Sequence, residues 1–235
     1  MKAGLPALAP HEVADVNRCV ALLRAYGLVV VNSWATGERL EQLITEHQRV
    51  FVGEVAYACD LDYYRPGIGS RAIRVVTKQI HHLLPATYEF LTDAALCEVV
   101  ATYLGSEASI NHAAYMTLDV AHATPVTVLH YDRKQAVKVF LCITAANSAC
   151  GSPSFVPGSH KHGRTIREAH LASGIQESEL PITSGHENLT AVPMDSPAGS
   201  LVIFDTDCLH MGGRVMPGQA RRVLRGHSHI LTGRR

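Results

Sequence analysis

The chain has 235 residues, 47% of them hydrophobic and 18% charged. That is ample for one packed domain and too apolar for a long disordered tract. Lys and Arg balance Asp and Glu at 21 each, which leaves no global field to recruit nucleic acid or an anionic membrane. No apolar run approaches the roughly 18 residues of a membrane span, and the opening MKAGLPALAPHEVADV meets acidic residues too early for a secretory core; the chain reads as soluble and cytoplasmic.

Taken in chain order, His11 to Tyr26 carries Val13, Val16, Val20, Leu23 and Tyr26 at helical spacing, with Gly27 as a stop. LVVVNSW (28–34) is a short β-branched strand, and Thr36 can cap a second helix with Leu40, Leu43, Ile44 and Phe51 as its buried stripe. Residues 52–78 mix tyrosines, arginines and glycines and read as loops and short strands near a site entrance. PATYEFLTDAALCEVVATYLG (85–105) reads as two helices ended by Gly105. After it the rhythm turns to period two. SINHAAYMTLD, TPVTVLHYD, AVKVFLCITAAN, GSPSFVPGSH, GSLVIFDTDCLH and RRVLRGHSHI are strand candidates, most of them separated by Gly, Pro, Asn or Asp turns. A helical preface (about 1–105) followed by many short strands (about 106–230) predicts a single domain, mainly β with flanking helices, built on an antiparallel barrel or double-sheet jelly roll. The six cysteines are scattered with no CxxC pair and read as reduced structural thiols.

Chemistry concentrates at His130 and Asp132. At i and i+2 of one strand their side chains share a face, with Tyr131 turned outward. His210, ending the apolar run SLVIFDTDCL, is a third donor distant in sequence. Two His and one carboxylate on one face of an octahedron leave three positions open, as in non-haem Fe(II) oxygenases. On its own, an HxD pair in a chain with 14 histidines reads sooner as a polar turn or strand-end hydrogen bond. Other histidines take plainer readings. His160 follows a Pro-Gly-Ser turn, His81 and His82 on a helix point apart, and no carboxylate stands near His227 and His229 in sequence.

The surroundings decide between these readings. HYD at 130–132, then VFLCITAANSACGSPSFVPGSHKHG, then AGSLVIFDTDCLHMGG, together resemble the phytanoyl-CoA dioxygenase family over roughly Thr127 to Arg225. The resemblance implies a double-stranded β-helix, Fe(II), 2-oxoglutarate as co-substrate and O2, with His130, Asp132 and His210 as metal ligands. It places the arginine for the far carboxylate of 2-oxoglutarate at Arg221, eleven positions after His210. Gly212 departs from the serine that members often carry two residues past the distal His, which puts one carboxylate hydrogen bond in doubt. Asp132 points away from halogenation, since halogenating relatives lack this carboxylate, and toward hydroxylation, desaturation or ring closure. The family's small bacterial members often tailor natural products, antibiotic sugars among them, which implies a small polar metabolite as substrate. A zinc or cupin-type metalloenzyme and a non-catalytic metabolite-binding jelly roll are the alternatives; zinc hydrolysis wants a carboxylate base in the motif, as in HExxH, and none is obvious.

Period two sends Arg221 and Arg222 to opposite faces of their strand, so only one enters the barrel. With Arg221 inward, Arg225 enters the same cavity as a candidate substrate contact. The breaks in strand rhythm at 57–78 and 164–195, carrying Tyr63, Tyr64, Arg65, Arg71, Arg74, Arg164 and His186, read as specificity loops at the entrance.

Overall fold

A computed structural model describes residues 4–111, 113–123, 128–132, 135–174 and 189–229. The strands are β1 (Ala7–Leu8), β2 (Leu28–Val31), β3 (Cys59–Arg65), β4 (Ser70–Val75), β5 (Ala113–Val120), β6 (Ala136–Cys142), β7 (Ser154–Phe155), β8 (Val192–Pro193), β9 (Leu201–Asp205), β10 (His210–Met211) and β11 (Ala220–His229). The helices are α1 (Val16–Tyr26), α2 (Gly37–Phe51), α3 (Pro85–Leu91), α4 (Ala94–Leu104) and α5 (His160–Ala172). Eight strands form one sheet in the order β1-β2-β9-β6-β11-β5-β4-β3, and a short sheet β10-β7-β8 accompanies it.

The helical preface is thus interleaved with the barrel. Residues before 105 supply β1 to β4 as well as α1 to α4, and β2 pairs antiparallel with β9 (Leu28 with Phe204, Val31 with Leu201). Local chemistry sets the helix ends. Asp15 accepts from the Arg18 amide at 3.0 Å, starting α1 after a short 3-10 turn over Pro10–Ala14. Gly27 closes α1 at φ 76°, a conformation costly for any residue with a β-carbon. Thr36 sits at the start of α2 without a side-chain cap bond. Among the described residues no helix is long and apolar enough to cross a membrane.

Alternation along the central strands divides two cores. Val137, Val139 and Leu141 of β6, Leu201 and Ile203 of β9 and Leu224 of β11 join the helices in one apolar cluster. Their neighbours Cys142, Val202 and Phe204 face the other way and meet Phe155 of the small sheet. The same parity aims Lys138 and Phe140 of β6, and Arg221, Val223 and Arg225 of β11, into the space between the sheets. Each such aliphatic side chain, once buried, contributes about 1.5–3 kcal/mol, so a one-residue slip is costly and the inward set is fixed.

Two strand expectations are corrected. His130 and Tyr131 make isolated bridges, His130 pairing with His210, and no extended strand runs through residues 128–132. GSPSFVPGSH gives the two-residue β7, after which His160 opens α5. Tyr131 does turn away from Asp132, yet it is fully buried, packed with Leu129, Val156, Ile166 and Leu209. Gly163 of α5 permits this: a β-carbon there would collide with the Tyr131 ring and the Asp207 carbonyl oxygen.

Candidate metal centre

His130, Asp132 and His210 converge as the spacing suggested, each offering one ligand atom, all within 4.8 Å of one another. The Nε2 atoms of His130 and His210 lie 3.5 and 3.7 Å from Asp132 Oδ1. Their Nδ1 atoms lie 2.7 Å from the Val128 carbonyl and 2.8 Å from the Cys208 carbonyl. A carbonyl oxygen only accepts, so both Nδ1 atoms carry a proton and both Nε2 atoms face the convergence point. Burial against Phe204 and Phe155 lowers the His210 pKa to about 3, which keeps that imidazole neutral. Burial opposes charge on Asp132, but the Lys138 ammonium beside Oδ2, with His210 and His130 at Oδ1, together outweigh it and hold the carboxyl well below its usual range. Two imidazoles and one carboxylate, oriented by outer partners, make a donor set that fits a divalent iron and leaves coordination positions over.

Behind the centre, α5 holds the backbone of Asp132. Arg167 donates from Nη2 to the Asp132 carbonyl oxygen (2.6 Å) and from Nε to Asp207 Oδ1 (2.6 Å). Arg167 and Asp207 are both buried, so this clamp is rigid and costly to break. Arg167→Met is expected to weaken iron affinity about 10–100-fold, the usual loss for an outer partner. It also strands Asp207 and lowers stability by about 3–5 kcal/mol. Chelator competition run well below the variant's melting temperature separates the two effects; unchanged affinity there would leave Arg167 a purely structural residue.

Arg221 points inward and is buried, opposite Asp119 across the β11–β5 pair. Its Nε and Nη2 each donate to Asp119 Oδ2 at 2.9 Å, and Nη1 donates to the Gly151 carbonyl. Arg222 faces the helices, near enough to His47 for its charge to act there. The triad, Arg221 and Arg225 line one cavity of about 230 Å3, with Phe140, Phe155 and Gly212 also in its lining. Its carboxylates among the described residues are Asp132 and Asp119, both held by cations; neither stands free as the base a zinc hydrolase needs.

Of the supposed entrance residues, Arg65 lines this cavity. Arg71 and Arg74 instead pair with Asp62 and Asp60 on the surface of the β3–β4 hairpin, and Tyr63 and Tyr64 are exposed. Arg164 lies on α5 and bonds Asp205 at 2.7 Å, on the side away from the cavity; His186 lies outside the described residues. His160 packs its ring on Gly27, with Nε2 3.2 Å from the Arg24 carbonyl, and serves the fold. His81 and His82 sit in a turn with ring centroids 4.3 Å apart, correcting the expectation that they diverge. His227 is buried beside Tyr115, and the side chain of His229 is outside the described set. Lys138, Asp119 and the Arg167–Asp207 pair were missed from sequence. A lone Lys inside AVKVFLC was the available signal, because a cation there must find a partner.

No curated protein sequence matches the chain. Solved structures of similar fold include the non-haem α-ketoglutarate-dependent epimerase SnoN from nogalamycin biosynthesis, at 16% identity and TM-score 0.67 over 92% of this chain and 83% of that one. AviO1 from Streptomyces viridochromogenes Tue57 follows at 15% identity and TM-score 0.63, covering 94% and 98%. EctD from S. alaskensis, crystallised with 2-oxoglutarate and 5-hydroxyectoine, gives 16% identity and TM-score 0.64, covering 92% and 77%. At such identities these likenesses speak to the fold. A profile of phytanoyl-CoA dioxygenase (PhyH), by contrast, matches residues 23–223, most of the sequence. A match of that length settles membership: the chain belongs to the phytanoyl-CoA dioxygenase family of 2-oxoglutarate-dependent, non-haem iron enzymes.

Proposed function

We propose that this enzyme hydroxylates or oxidatively cyclises a small polar metabolite, with His130, Asp132 and His210 holding iron and Arg221 holding the far carboxylate of 2-oxoglutarate. The observation that carries it is the convergence of two Nε2 atoms and one ionised carboxylate at the wall of a cavity that also contains a buried arginine. When bound, ferrous iron and 2-oxoglutarate supply the two-electron oxidation of a substrate C–H bond by dioxygen, releasing succinate and CO2. The chain's own residues do the rest. Arg221 offers a planar fork to a carboxylate at the floor of the cavity, and Asp119 and the Gly151 carbonyl hold that fork in place. Lys138 helps keep Asp132 ionised, and the carbonyls of Val128 and Cys208 fix both histidine tautomers. Phe140, Phe155 and Val223 keep the space between metal and arginine dry.

The presence of Asp132 favours oxygen insertion or ring closure over halogenation, because the carboxylate takes the place a halide would occupy. A cavity of about 230 Å3, below the roughly 300–1,000 Å3 of drug-sized ligand sites, favours a small substrate or the narrow end of a larger one. Natural-product tailoring draws support from the neighbours, an epimerase and a carbocyclase of nogalamycin biosynthesis among them. The test is an anaerobic titration of the metal-free chain with Fe(II) and 2-oxoglutarate. One iron per chain and a weak visible charge-transfer band are expected, followed in air by succinate formation. No band, or equal succinate formation with Zn(II), would overturn the reading.

A further inference from the structure

The cavity's described walls carry four cations, Arg65, Lys138, Arg221 and Arg225, against two carboxylates, Asp119 and Asp132. Lys138 is matched by Asp132 and Arg221 by Asp119. A ferrous ion and the 2-oxoglutarate dianion cancel each other, so loading the centre leaves the other two positive charges where they were. Arg225 is the more telling of the pair. Among the described residues its guanidinium makes no ion pair, and its Nε is buried with no hydrogen-bond partner. It lies 5.4 Å over the Tyr115 ring and 5.6 Å over the Phe140 ring, contacts with aromatic faces that take up none of its N–H groups as hydrogen-bond donors to oxygen. Burial lowers its pKa to about 10, with Asp119 raising it and Arg65 lowering it; the group stays charged at neutral pH, and Arg65 is near enough to repel it.

Arg225 is half-buried, and a cation drawn partly out of water with a buried, unpaired Nε is costly unless a ligand completes it. We propose that Arg225, with Arg65 beside it, is the recognition site for an anionic group, carboxylate or phosphate, on the substrate. This rests on the oxygenase reading above and adds the substrate's charge to it. Arg225 lies four residues beyond Arg221 on the same face of β11, opposite Phe140. An oxyanion held there shares the cavity with the triad without occupying the Arg221 fork. Fixing the substrate by a charged end far from its reacting carbon is how a small site gains orientation.

The experiment uses the anaerobic Fe(II)–2-oxoglutarate complex of the whole chain, titrated with acetate and, separately, with methyl phosphate, sodium chloride serving as the ionic-strength control. The charge-transfer band and the melting temperature are followed in the wild type, Arg225→Met and Arg225→Lys. One of the two anions is expected to perturb the band and raise the melting temperature of the wild type, and which one acts names the group. In Arg225→Met its half-saturation should rise at least about 10-fold, while Arg225→Lys, which keeps the charge, falls between. Without added anion Arg225→Met should melt about 2–4 °C higher, because an uncompensated charge has gone. The 2-oxoglutarate dissociation constant should stay within about twofold in both variants. Anion effects equal in wild type and Arg225→Met place the anion on the metal and overturn the proposal, as does no effect of either anion. Weakened 2-oxoglutarate binding in Arg225→Met overturns it differently, by giving Arg225 to the co-substrate. A wild type that forms no band at all sinks the oxygenase reading itself.

Discussion

Asp132→Ala, His130→Ala and His210→Ala each abolish iron retention and succinate formation together. The expected loss exceeds about 100-fold in iron affinity, since removing even an outer partner of a metal ligand commonly costs 10–100-fold. Asp132→Ala should be the most damaging of the three, because it also leaves the Lys138 ammonium inside the cavity with no counter-charge. Asp132→Gly is the sharper chemical probe: it removes the carboxylate, could admit chloride in its place, and should at minimum lose hydroxylation. Iron per chain after anaerobic loading and desalting, with succinate measured in parallel, checks all of these. A variant that keeps near-normal iron content and activity would remove its residue from the ligand set.

Arg221→Ala is expected to raise the Michaelis constant for 2-oxoglutarate steeply, by the equivalent of about 2–5 kcal/mol, the range found on truncating one partner of a buried charge pair. Arg222→Ala, which changes the opposite face of β11, should leave that constant nearly unchanged. Asp119 complicates the first variant in a measurable way. Its carboxylate is buried and bonded to Arg221, so Arg221→Ala also strands a charge and lowers stability by about 3–5 kcal/mol. The double substitution Arg221→Ala with Asp119→Ala should recover part of the lost melting temperature and none of the 2-oxoglutarate affinity. Recovery of both would mean the arginine serves the fold alone, and a large effect of Arg222→Ala would reverse the strand's orientation.

How much of this was legible in the sequence depended on which interactions are local. β5, β6 and β11 showed themselves by alternation, because each has one face on the helices and one toward the cavity, and β9 by an unbroken apolar run buried on both faces. His130 and Asp132 were readable as a pair since i and i+2 point alike even without a regular strand around them. The inward turn of Arg221 came from family spacing, which the apolar pattern alone could not supply: both arginines have one aliphatic neighbour on their own face. Helix α5 was hidden because Pro157, Gly158 and Ser159 signal a turn, and nothing local says that a helix follows to cover Tyr131. Lys138, Asp119 and Arg167 escaped for a different reason. Their roles exist only across distant segments: Asp119 meets Arg221, and Arg167 meets Asp207 and the Asp132 carbonyl. The arginines of the β3–β4 hairpin illustrate the converse, since Arg71 and Arg74 find their carboxylates on the adjacent strand and do not line the cavity.

The pairing of β2 with β9 has a consequence for how this protein comes to exist. β9 is the last strand before His210, and every residue of it is buried. During synthesis β2 emerges early with only the two-residue β1 to pair with, and its other edge must wait until nearly the whole sequence has followed. Until then it is a ribbon of four apolar residues, Leu28 to Val31, with the edge meant for β9 open to any neighbour. Closing so distant a pair is slow, and an open apolar edge is what other chains add to. Expression at reduced temperature or with a holdase present should therefore raise the soluble yield far more than any substitution in the cavity. A shortened form lacking β1 and β2 should assemble through the bared edge of β9 into soluble oligomers or inclusions.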